Sequence, residues 1–223
     1  AIAADVEDFP HISVMRCHSI YGEVMSPFMI LPTIKQFPEE LKIFADSGQL
    51  DIACAPSGYM NRDCFLFWAI CFINHLNVYR QKLPLYLRTS RAVLILDGHS
   101  SRGCPLALWL LDQANVDVIT EPSNTSHVVQ MFEVCLASPY KSHFRKVFHR
   151  LEKNDPTKFQ TIIARLRNHA AQAIISAWAT ASAIVNRISS GRATGIYPFS
   201  PKEVYESLFV IQLTEKQVER QDK

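Results

Sequence analysis

The chain has 223 residues, 48% of them hydrophobic and 20% charged, the balance of an ordinary globular protein able to bury a core of useful size. A net charge of +2 excludes an overall polycation, so any site for nucleic acid must be a local patch. The longest apolar run, residues 65–73, falls far short of the roughly 20 residues that cross a bilayer.

No signal peptide opens the chain and its first residue is not methionine, which predicts a soluble intracellular protein, without a membrane partner, whose upstream part is missing. Six cysteines without a C-x-x-C pair read as free thiols in a reducing compartment.

Residues 1–10 carry Asp5, Glu7, Asp8 and Pro10 and read as a polar lead-in. Residues 11–19 and 24–31 are β-prone runs joined by Ile20-Tyr21-Gly22-Glu23, the pattern of a hairpin. It ends at Pro32, which has no N–H to give a sheet ladder. A short helix over 38–45 and a short strand over 51–55 follow. Asn61 is placed to cap a long helix whose stripe is Phe65, Trp68, Ala69, Phe72 and Leu76.

Residues 92–96 are all apolar and predict a buried strand that delivers Asp97, Gly98 and His99 at its carboxyl end. That edge is where α/β sheets open their ligand crevices. A carboxylate is costly to bury alone, so a metal ion or a cationic group is expected beside Asp97. A helix opened by Pro105 over 105–114 and a strand over 116–120 complete a parallel βαβ unit.

After Pro122 and a polar turn the periodicity predicts one helix over 127–152. Asp155-Pro156-Thr157 marks a break and a restart, with Asp155 or Thr157 as cap. The stripe Phe159, Ile162, Ile163, Leu166, Ala170, Ala173 and Ile174 then runs towards Val185 and stops at Ser189-Ser190-Gly191. A last short helix is expected over 201–210 and a charged tail over 214–223. Trp68, Trp109 and Trp178 lie in apolar stripes and are assigned to the core.

Glu133 falls in the first turns of the helix after the second strand, with residues 98–132 between it and Asp97. A strand-end aspartate and a helix-borne glutamate at this separation can converge on one point. Two convergent carboxylates suit Mg2+ or Mn2+, and a two-metal site activates one oxygen and stabilises another in phosphodiester chemistry. Taken alone the pair is a weak signal, since a strand-end aspartate is more often a loop cap and a glutamate on a helix more often a solvated acid.

The residues around the acids carry more. Leu94-Ile95-Leu96-Asp97-Gly98-His99-Ser100-Ser101 and Pro122-Ser123-Asn124-Thr125-Ser126-His127-Val128-Val129-Gln130-Met131-Phe132-Glu133 resemble the DDE transposase domain of the pogo/Tigger branch of the mariner superfamily. In that family a strand ends in Leu-Asp-Gly-His-Ser-Ser-His, and a loop reads Pro-x-x-Thr-Ser-His-x-x-Gln-Pro-Leu-Asp. Residues 11–32 are similar to its hairpin, and Ser57-Gly58-Tyr59-Met60 with Phe65 and Trp68 to its Ser-Gly-Trp-Met segment. Ser138-Pro139-Tyr140-Lys141 and Gly191-Arg192-Ala193-Thr194-Gly195-Ile196-Tyr197-Pro198-Phe199 resemble its later landmarks, so the likeness spans residues 11–205.

The resemblance implies an α/β, ribonuclease H-like mixed sheet with helices on both faces over 11–152, lacking its first strand. A helical extension over 153–210 and a tail over 211–223 follow. It also implies DNA cleavage and strand transfer with two divalent metals, Mg2+ or Mn2+, with Asp97 as second acid and Glu133 as third. DNA is the partner, the nucleus the location, and a homo-oligomer is admitted. His99, His127, Gln130, Lys141 and Arg145 are the candidate nucleic-acid contacts. The two histidines more often serve as rings bonded to local backbone. Lys141, Arg145, Lys146 and Arg150 equally fit a solvated basic face, as do Arg165, Arg167 and Arg192.

Three departures bear on activity. The third acid is glutamate after Gln-Met-Phe instead of aspartate after Gln-Pro-Leu. Arg102 replaces the second histidine and is able to pair with phosphate or with a carboxylate. The first acid, which the family carries on a strand upstream of the hairpin, is missing, and neither Asp5 nor Asp8 is assigned to it. The expectation is a domain inactive as it stands, either a fragment or a decayed copy. The alternative is a domesticated transposase acting only as a nucleic-acid-binding or chromatin protein.

Overall fold

The computed structural model describes residues 11–32, 36–122, 124–154 and 161–204. The expected hairpin forms with short strands: β1 (Ser13–Met15) pairs antiparallel with β2 (Phe28–Pro32), and an isolated His18–Val24 bridge extends it. After α1 (Glu39–Asp46), β3 (Asp51–Ala55) adds to β2 in parallel. Along β2 the period of two sorts the side chains between two cores. Phe28 and Ile30 join Phe65, Trp68 and Phe72, while Met29 and Leu31 meet Leu41, Ala170, Ala171 and Ile174.

The helix α2 (Arg62–Lys82) starts where expected, because the Asn61 side chain accepts from the Cys64 N–H at 2.8 Å. It crosses to β4 (Ala92–Leu96); α3 (Pro105–Gln113) then leads to β5 (Val116–Thr120), parallel to β4 with Leu96 opposite Thr120. Among the described residues the chain is thus a mixed α/β fold with small sheets of three and two strands and flanking helices. β1 and β4 face one another across a cavity of about 720 Å³ floored by Trp68 and Phe72 of α2.

Three expectations need correction. The single helix over 127–152 is broken into α4 (Ser126–Val129), a π-helical turn (Phe132–Leu136) and α5 (Ala137–Asn154), with extended backbone at Gln130. The break lets Phe132 leave the α5 stripe and pack on Tyr140 and Trp178. The stop at Ser189-Ser190-Gly191 also moves. α6 (Ile162–Ala181), capped by the Thr161 hydroxyl on the Ala164 N–H, ends at Ala181, and α7 (Ile184–Ala193) runs through Gly191. Gly195, at φ +64°, is the residue that ends it, in the left-handed conformation favoured after a helix. Trp109 is 57% exposed, since Ala107 and Leu111 on either side of it take the buried face of α3. Trp68 and Trp178 are core residues as expected. The caps Asp155 and Thr157, the lead-in 1–10 and the tail lie outside the described residues, and of the last helix residues 201–204 are helical.

The hairpin turn is tied to α7 by Arg187, whose guanidinium donates to the carbonyls of Ser19, Gly22 and Ser182. His18, beside the edge of the Trp178 ring, is half-buried, and its Nε2 is buried without a hydrogen-bond partner. Burial and the nearby Arg187 push its imidazole down to about 4. The folded chain therefore takes this proton only near pH 4, whereas the unfolded chain takes it near 6.5. Stability should be full above pH 6.5 and fall as pH drops towards 4, by at most about 3 kcal/mol from this residue. Urea unfolding of the wild type and His18→Gln at both pH limits checks it: the variant should lose this part of the decline.

Candidate functional site

In a parallel pair, residues in register share a face. Leu96 lies opposite Thr120, so the next residues, Asp97 and Glu121, stand side by side where the two strands end. The Glu121 N–H donates to the Leu96 carbonyl at 2.8 Å, fixing that relation, and both acids line the cavity beside β4.

Asp97 has a cation on it already. Arg102 Nε donates to one Asp97 oxygen at 2.8 Å and its Nη2 to the other at 3.1 Å, a two-pronged pair. The local chain builds this contact. Ser100–Arg102 form one 3₁₀ turn in which the His99 ring accepts from the Ser101 N–H, and its Nδ1 lies 2.8 Å from the Ser101 hydroxyl. The Arg102 guanidinium lies 5.2 Å from the centre of the Phe65 ring, and its side chain is 12% exposed against 35% for Asp97. The sequence expectation of a metal or a cationic group beside Asp97 is met by the guanidinium.

Glu121 was not among the residues singled out from sequence. One of its carboxylate oxygens is buried without a hydrogen-bond partner. Burial, and then the charge of Asp97, push its carboxyl up to about 7. The signal was positional: Glu121 follows β5 directly, as Asp97 follows β4.

Glu133 belongs to a second cluster. It sits on the π-helical turn, with its carboxylate 3.8 Å from Lys141 Nζ. The half-buried Arg16 guanidinium, 4.2 Å from the ring centres of both Phe132 and Tyr140, feels its charge. Gln130 lines the same cavity as Asp97, whereas Glu133 is not among its lining residues. His99 therefore sits with Asp97 and Lys141 with Glu133, and His127 is exposed on α4. Lys141, Arg145, Lys146 and Arg150 are all exposed along α5. Arg165 and Arg167 are instead engaged with Glu152 and Glu40. Among the described residues, no group of three or more His, Cys, Asp or Glu side chains is placed to hold a metal ion.

A family model described as DDE superfamily endonuclease matches residues 11–189, which takes in both clusters. No curated protein and no solved structure matches the chain.

The Asp97–Arg102 pair is half open to solvent on its acid side, so its worth is modest. Asp97→Asn and Arg102→Gln should each lower the unfolding free energy by about 1 kcal/mol, and the double variant by clearly less than the sum. Urea midpoints of the four proteins measure this coupling.

Proposed function

Because the chain belongs to the DDE superfamily endonuclease family, we propose that it is a transposase-derived DNA endonuclease and strand-transfer domain of the pogo/Tigger branch, acting on DNA in the nucleus, with its cleavage chemistry switched off. One observation carries the reading. Asp97 stands at the carboxyl end of β4, where this chemistry requires its second acid, yet both of its oxygens are taken by Arg102.

The two sheets read as halves of a ribonuclease H-like sheet, and the cavity between β1 and β4 as the place of its first strand. A strand there would run past Asp97 and could carry the first acid. Glu133 keeps the place of the third acid in this reading.

The family chemistry uses divalent metal, Mg2+ or Mn2+, which demands several oxygen ligands free of competing cations. The donors present do not fit it. Asp97 is engaged by a guanidinium, Glu133 is near Lys141 and Arg16, and no third ligand joins them among the described residues.

DNA contact is assigned to the exposed basic face of α5, Lys141, Arg145, Lys146 and Arg150, with His99 beside Asp97, Gln130 in the cavity lining and His127 exposed on α4. Neutralised phosphates release counterions, so affinity should fall steeply with salt and carry little sequence preference. In anisotropy titrations of duplex DNA, replacing all four basic residues by Ala should flatten the log–log salt slope by about 3 to 4. Absence of binding at low salt would sink the DNA reading. With Mn2+ the wild type should leave supercoiled plasmid intact; nicking by the wild type that Asp97→Asn abolishes would show that the chemistry is on.

A further inference from the structure

Two carboxylates at adjacent strand ends create a demand for positive charge. The Cα atoms of neighbouring strands lie about 4.8 Å apart, and Asp97 and Glu121 are neighbours by register and share the cavity. Like charges so close disfavour one another unless a cation lies between or beside them. The chain meets half of that demand. The Arg102 guanidinium is seated on both oxygens of Asp97, backed by Phe65 and by a bond from Nη1 to the Ser101 hydroxyl at 3.3 Å. Glu121 is left with a buried oxygen that no hydrogen bond satisfies.

We propose that Asp97 and Glu121 form a cation site whose resident cation is the Arg102 guanidinium, in place of a divalent metal ion. The single positive charge balances one carboxylate, and the second, Glu121, is left as an uncompensated oxygen donor beside it. The site's donors are oxygens only, so the ion that replaces the guanidinium is a hard one, Mg2+ or Mn2+. Glu133 has no part in the site, because it is not among the residues lining the cavity and lies on the π-helical turn with Lys141 3.8 Å from its carboxylate.

The test is Mn2+ binding, read from the electron paramagnetic resonance signal of the free ion in a protein titration. The wild type should leave Mn2+ free, and so should Arg102→Lys, which keeps a positive charge beside the acids. Arg102→Ala should bind Mn2+ at least about tenfold more tightly, and added guanidinium ion should compete with it. On that background Glu121→Gln should weaken binding by roughly 10- to 100-fold, while Glu133→Gln should leave it unchanged. If Arg102→Ala does not fold by circular dichroism, Arg102→Gln gives the same reading, since it keeps the stem over Phe65 and loses only the charge.

Equal binding by the wild type and the Arg102 variants would overturn the proposal. So would no gain on removing Arg102, or a gain that depends on Glu133 and not on Glu121. The assignment of Asp97 rests on the DDE reading, but the titration contains no DNA, so its failure would leave the DNA-binding result standing.

Discussion

The parallel register of β4 and β5 is the constraint from which the rest of the site follows. Leu94 and Leu96 on one strand and Val116 and Val118 on the other pack towards α2, which fixes which residues of both strands face inwards. With that set, Asp97 and Glu121 must emerge together at the strand ends. A slip of one residue would send the inward set out to solvent and separate the acids, so the core on one face holds the charges on the other in place. The short turn after β4 then has only one carboxylate within reach of Arg102, and the remaining charge falls to Glu121.

A second balance operates across the cavity. Arg16 is partly desolvated but lies against the faces of Phe132 and Tyr140, whose negative quadrupoles partly replace hydration. The π-helical turn is what brings Phe132 there. The same turn carries Glu133 out to the surface side, towards Lys141. Each family-type acid thus has a protein cation of its own, and the two clusters flank one hollow without sharing a counter-charge.

The elements that local pattern could specify were legible. The apolar run 92–96, the strand 116–120 and the Asn61 cap match β4, β5 and the start of α2. The expected burial of the whole run is corrected: Leu94 and Leu96 are buried, whereas Val93 on the other face is 62% exposed, because the two-stranded sheet is packed on one side only. The need for a cation at Asp97 was also readable, because burying a carboxylate alone is costly whatever the fold. What escaped depends on contacts between distant residues. The break at Gln130 is favoured by where Phe132 packs, and periodicity over 127–152 holds no trace of Trp178. Gly191 resembles a helix end, yet it is spent on a close approach to Ile20, while Gly195 supplies the left-handed turn. Glu121 became visible only once register set it beside Asp97.

The opposed edges of β1 and β4 have a consequence for handling the protein. Among the described residues neither edge has a strand on its cavity side, so each presents backbone donors and acceptors in ladder order. Such edges template strand addition, and the apolar floor of Trp68 and Phe72 rewards whatever extended chain settles there. A neighbouring copy is one source of such a segment, so self-association through these edges should rise with protein concentration.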